Sequence, residues 1–264
     1  MNRFDRLLNW IRELSESLSA FVSHYGIAEA IVFEAGPPAI AIDDFFHYCL
    51  AKASKHIRAG LVLIDHGFPE DAIVLSRAAY ECYVSAAYAR TQGVGAIHDL
   101  VYNTVGLDAG TVEYVRTKAG RQDYRRLVDV ETGTFYDAPP STEKMIRNTG
   151  YPDDATVHRR YYGFSSQHAH VNMAGSGNYR EGAKYTDSGN AQKANAVFLT
   201  SYVAVTLLGI AINTSDMDEQ EKSRIKRELR HTIKQINNVL GRDFKEPADD
   251  FARAVRARLD QVIK

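Results

Sequence analysis

The sequence is short of cysteine: 264 residues contain only two, Cys49 and Cys82. Both lie inside apolar segments, far apart along the chain. A small secreted domain stapled by disulfides uses cysteine in spaced pairs, so a disulfide scaffold is excluded. The two thiols read instead as small core residues in a reducing compartment. Nor does charge of one sign dominate. There are 32 Lys and Arg against 33 Asp and Glu, for a net charge of -1, which gives no signal for DNA or for an anionic membrane. No secretory leader is expected either, because Arg3, Asp5 and Arg6 put charge where a leader needs an unbroken apolar stretch. With 45% hydrophobic and 25% charged residues, the expectation is a folded cytoplasmic protein with ample material for a core.

One long uncharged run does occur, Ala194 to Thr214, close to the ~20 residues of a bilayer span. It carries Asn195, Thr200, Ser201, Tyr202, Thr206 and Asn213, and the mean hydropathy of the whole chain is -0.32. A central bundle helix is apolar all round in the same way, so the segment reads as a buried helix and no membrane partner is expected.

Runs of alternating apolar residues bounded by turns are lacking, which predicts little or no sheet. Helical spacing dominates instead. Phe4, Leu7, Leu8, Ile11, Leu14, Leu18 and Phe21 form one stripe on a helix ending near Tyr25. Pro37 and Pro38 suit the first turn of a second helix that runs to about His66 and stops at Gly67. Pro69, Glu70 and Asp71 open a third, reaching about Gln92. Residues 96–150 read as shorter helices broken by glycines. Asp153 and Asp154 start a helix ending near Asn172, and a glycine-rich loop, 173–190, follows as a candidate lid bearing Tyr179, Arg180 and Tyr185. Helices over about 191–215, 217–240 and 247–263 complete the chain. The expected architecture is a single all-α domain over residues 1–264, a helical bundle of about eight helices. The helix at 2–25 and the helices at 217–263 would pack on the rest.

The third helix holds the most informative feature. From Ala72 to Ala89 it reads AIVLSRAAYECYVSAAYA, in which only Arg77 and Glu81 are charged. Four residues apart, they leave the same face of the helix, alongside Ile73, Val84 and Tyr88. A charge on an apolar face needs a partner. The pair is either a salt bridge fixing helix register, or an Arg placed for an anion with Glu81 orienting it or acting as a base.

The helix from Asp153 offers the complement. His158, Tyr162, Ser166 and His170 follow at intervals of four and climb one side. Such a polar ladder requires hydrogen-bond partners, and the Arg77–Glu81 face is the simplest one. Arg77, Glu81, Tyr162, Ser166 and His170 are therefore the candidate catalytic residues, with His170 as general base and Ser166 as nucleophile, donor or positioning group. No metal and no cofactor is expected. Inward-facing acids are too few for a carboxylate-bridged centre, and His168 and His170 diverge on a helix. The glycines of 173–190 match no phosphate-binding loop or dinucleotide fingerprint.

The stretch GFPEDAIVLSRAAYECYVSAAYA, followed by YYGFSSQHAH, resembles an uncharacterised bacterial all-helical family, a domain of unknown function. Its members share an Arg-xxx-Glu and a later Tyr-xxx-Ser-xxx-His. The resemblance covers about residues 40–215, and its motif positions here are Arg77, Glu81, Tyr162, Ser166 and His170. That family is in turn distantly similar to the HEPN helical bundles, many of them metal-independent ribonucleases of toxin and phage-defence systems. In those bundles an Arg steadies the phosphate, and a His that follows after four to six intervening residues assists attack by the ribose hydroxyl, often in a site shared across a dimer. The resemblance thus implies a HEPN-like core, RNA or a nucleotide as partner, and a homodimer. The chain departs from the HEPN spacing, since Ser166 stands four before His170. Arg224 and His231 keep that spacing, but in the basic helix EKSRIKRELRHTIK. The alternative implied by the residues alone is a non-enzymatic helical interaction module with a structural polar cluster. From Lys222 to Lys264 there are twelve Lys and Arg against six Asp and Glu, which reads as a solvated charged face or as a phosphate-facing stripe.

Overall fold

The computed structural model describes residues 3–25, 38–169, 179–181, 184–185, 191–215, 217–243 and 249–263. It is mostly helical. Helices α1 (Arg3–Tyr25), α2 (Pro38–Asp65) and α3 (Pro69–Gln92) lie close to where apolar spacing and the proline and glycine signals place them. At the end of α2, Gly67 turns at φ +83°. Its N–H donates to the Ile64 carbonyl, and that of Phe68 to the Leu63 carbonyl, a paired closure that only a left-handed residue completes without strain. Pro69 then starts α3, where a missing N–H costs nothing.

The buried centre is α8 (Lys193–Thr214), which packs against α1, α2, α3, α9 (Glu219–Asp243) and α10 (Asp250–Val262). Among the described residues α8 is the one helix long and apolar enough to cross a membrane, and 94% of its apolar window is buried inside the molecule. Its hydrophobicity on every side matches contact with helices on every side. Gly209 permits the closest approach, since a Cβ there would overlap the side chain of Val262 on α10. Cys49 and Cys82 are free and buried. Burial pushes the Cys82 thiol up to about 11, in keeping with inert core residues.

The region 96–150 departs from the expectation. After α4 (Val94–Ile97), a π-helical turn (His98–Tyr102) and α5 (Asn103–Ala109), the chain forms an antiparallel sheet of β1 (Val112–Arg116), β2 (Gln122–Asp129) and β3 (Phe135–Asp137). Tyr114 lies opposite Leu127, which lies opposite Tyr136, and a bulge falls between Tyr114 and Val115. Only Val112, Leu127 and Ala138 make up its buried core. That core is too small, and its alternation too interrupted by the bulge, to show as a period of two. From Ala138 the chain passes through two prolines to α6 (Thr142–Ile146), capped by Ser141, and then to α7 (Asp154–Ala169). In the glycine-rich segment the described backbone pairs β4 (Arg180–Glu181) with β5 (Lys184–Tyr185). The rest of the candidate lid lies outside the described residues.

Candidate functional site

Helices α3 and α7 pack together, and this brings three of the five candidate residues into contact across 85 positions of sequence. The Arg77 Nη2 donates to the Tyr162 hydroxyl at 2.7 Å, and the Arg77 Nε donates to Glu81 Oε1 at 3.1 Å. The guanidinium also lies 4.5 Å from the Tyr162 ring centroid. The pair sits at a rim rather than within an apolar interior, for the Arg77 side chain is 19% and that of Glu81 42% exposed. At that exposure the ion pair contributes no more than about 1 kcal/mol. Ser166, one turn beyond Tyr162, has a buried Oγ without a partner among the described residues. His170 lies outside the described residues.

Sequence spacing placed His158 in the ladder but not among the site residues, and the structure gives it more weight. Its ring stacks on Tyr162 at 4.8 Å and on Tyr80 at 5.8 Å. The Nδ1 atom is buried with no partner among the described residues, which leaves Nε2 as the nitrogen for solvent or ligand. Burial lowers the His158 pKa below its ordinary value, with Glu143 and Glu81 pulling weakly the other way. The imidazole is therefore neutral near pH 7 and able to accept a proton. It borders an open cleft of about 520 Å³ between α6 and α7, whose other polar walls include Ser141, Glu143, Arg147, Arg159 and Tyr162. Arg147 is paired with Glu143. Arg159 has no ion-pair partner among the described residues, so the cleft offers one uncommitted cation, one neutral imidazole and one phenol. A phenol that accepts from Arg77 keeps its own proton for donation.

A second polar cluster went unnoticed in the sequence. Asp154 at the start of α7 and Arg258 on α10 are 0% and 1% exposed. Arg258 Nε approaches Asp154 Oδ1 at 3.2 Å and donates to the Tyr83 hydroxyl at 2.9 Å. Tyr83 and Thr149 in turn donate to Asp154 Oδ2 at 2.6 and 2.7 Å, and the guanidinium covers the Tyr151 ring at 3.6 Å. Burial pushes the Asp154 carboxyl up against the opposing pull of Arg258. For Arg258, burial works against the charge, and Tyr83 and Asp154 more than offset it. The C-terminal basic stripe is thus partly interior.

The remaining motifs resolve into structural contacts. Arg224 is held by Glu221 and Glu228, while His231 stacks on Trp10 at 5.0 Å, so this pair does not converge. Glu228 and His231 also form a Glu-x-x-His on α9, but Glu228 is engaged by Arg224 and Ser17. Among the described residues no group of three or more His, Cys, Asp or Glu could hold a metal ion.

A family model matches residues 43–184, more than half of the chain, including α3, α7, the sheet and both walls of the cleft. The chain belongs to the family of unknown function DUF5677. Within the DUF5677 match lie Arg77, Glu81, Tyr162, Ser166 and His158, whereas Arg258 joins from outside it. No curated protein and no solved structure gives a significant match to the chain.

Proposed function

We propose that this DUF5677 chain is a HEPN-related effector acting on RNA or a nucleotide, with the phosphodiester seated in the cleft between α6 and α7. The observation that carries the reading is a neutral, solvent-reachable His158 beside a phenol fixed by Arg77, with Arg159 on the same cleft wall. In RNA cleavage His158 takes the 2′-hydroxyl proton as O2′ attacks phosphorus. The O2′–P bond forms, the P–O5′ bond breaks, and the leaving oxygen receives the Tyr162 proton, which solvent restores. Arg159 faces the charge that develops on the phosphoryl oxygens. Arg77 acts as a positioning residue through Tyr162, and Ser166 continues the same helix face. The family resemblance adds a HEPN-like core, a toxin or phage-defence setting and a cytoplasmic homodimer to this reading.

The test is cleavage of a labelled RNA oligonucleotide by the wild-type chain and by His158→Ala and His170→Ala. Cleavage lost in His158→Ala and kept in His170→Ala is the expected result. The reverse moves the base to His170, and unchanged cleavage in both removes the catalytic reading. A second reading is favoured by Glu81, which already matches the Arg77 charge. It makes the cluster a register lock in a non-enzymatic interaction module, and absence of any cleavage by the wild-type chain supports it.

A further inference from the structure

The β1–β2 hairpin separates charge in a way the chain as a whole does not. From Arg116 to Arg126 there are five cations, Arg116, Lys118, Arg121, Arg125 and Arg126, against the single carboxylate of Asp123. All five are exposed, and Asp123 pairs with Arg125 alone. The other four have no ion-pair partner among the described residues. At the other end of β2, Asp129 accepts from the backbone of Glu131 and Thr132 in the β2–β3 turn, and Asp137 of β3 lies opposite Arg126 without closing an ion pair.

Two aromatic rings stand among these charges. Leu127 points into the small sheet core, so its neighbour Arg126 points to the opposite face. There the Arg126 guanidinium lies 5.1 Å from the ring centroid of Phe135, which is 57% exposed. Tyr124 is 69% exposed and meets Tyr114 edge-on at 5.1 Å. Beyond these two contacts the exposed rings bury little apolar surface, and they stand next to arginines that carry no ion pair. They match a ligand that carries both negative charge and flat apolar rings.

We infer that the β1–β2 hairpin, with the Phe135 ring beside it, is a binding surface for single-stranded RNA that feeds the cleft. The inference rests on the reading of the cleft given above and names how its substrate is held. Phosphates meet Arg116, Arg121 and Arg126, and unpaired bases stack on Tyr124 and Phe135, whereas bases already stacked in a duplex leave those rings unused. Chain continuity ties surface to cleft. The Ala138 N–H donates to the Arg125 carbonyl at 3.0 Å, and Ser141 of the cleft wall is three residues further on, within about 11 Å even if fully extended.

Fluorescence anisotropy of a labelled single-stranded RNA, titrated with the full chain over a range of salt, tests this. Wild type should bind with affinity that falls as salt rises, and more tightly than it binds the matching duplex. Arg116→Ala/Arg121→Ala/Arg126→Ala should reduce the log–log salt slope by about 2, at roughly 0.7 per lost phosphate contact on a single strand. Phe135→Ala should weaken binding by roughly tenfold. If the triple variant does not fold, Arg121→Glu in the hairpin turn carries the same test. Wild-type affinity and slope in these variants overturn the inference, as does binding of polyglutamate in place of RNA, which would assign the face to an acidic protein. Binding is read without turnover. A chain that grips RNA through the hairpin yet cleaves nothing therefore supports the surface and removes only the cleavage reading.

Discussion

Two arginine–carboxylate clusters lie on either side of one aromatic stack, and they have opposite surroundings. Tyr83, Tyr80, His158 and Tyr162 follow one another ring against ring. At one end Arg258 and Asp154 are sealed in the core; at the other Arg77 and Glu81 meet water beside an open cleft. Removing one member of the sealed pair strands a charge with no solvent to receive it. Removing one member of the rim pair lets water take its place. The same residue types therefore lock the fold at one end and remain free for chemistry at the other.

The largest effect should come from the sealed end. Arg258→Ala or Asp154→Ala should each lower stability by about 3–5 kcal/mol in denaturant unfolding. Asp154→Leu with Arg258→Met should recover part of it, because no buried charge is left unpaired. Adding Tyr83→Phe should recover more by removing the hydroxyl that loses its partners. Equal stability of the single variants and wild type would mean that the cluster is open to water. Next in size, Gly209→Ala should cost roughly 1–3 kcal/mol, because its Cβ would enter the volume of Val262 and push α10, the helix that carries Arg258, away from α8. Adding Val262→Ala should relieve that overlap.

At the rim the sign of the comparison reverses. Arg77→Ala and Tyr162→Phe should change stability by less than about 1 kcal/mol, while strongly reducing any cleavage activity. A destabilisation as large as that of Arg258→Ala would make both clusters structural and leave the cleft without its positioning residue.

Much of this contrast was legible in the sequence at the rim and very little of it in the core. Arg77 and Glu81 stood out because they are the only charges between Ala72 and Ala89, and Tyr162 because four-residue spacing put it on one face with His158 and Ser166. Asp154 looked like a helix-start residue and Arg258 like one more cation in a basic segment. Their union depends on α10 returning to the start of α7, which no local pattern encodes. The long helices could be read because each carries a continuous apolar stripe or run. The sheet could not, since three buried residues hold it together. His158 was visible only as one rung of a ladder; its exposure to the cleft follows from α6, a short helix that packs on α3 and α7 and that no apolar stripe announced.

The smallest expected effect separates the clusters by pH. Burial holds the folded-state pKa of His158 below its ordinary 6.5, and Glu143 and then Glu81 partly oppose this. Above pH 6.5 the imidazole is neutral both folded and unfolded, so its contribution to stability is fully present. As pH falls below 6.5 the unfolded chain takes up a proton that the folded chain resists, and stability declines until the folded pKa is passed. Among the described residues His47, His56 and His168 are shifted the same way by burial, so the bulk unfolding curve mixes several histidines. His158 is isolated by its own NMR titration, or by the difference between wild type and His158→Gln. The resonance should titrate below 6.5, and lower still in Glu143→Gln, which removes the larger opposing charge. A midpoint above 6.5 would place a stronger anion against the ring than either carboxylate, and would leave the imidazole protonated as the cleft meets its ligand.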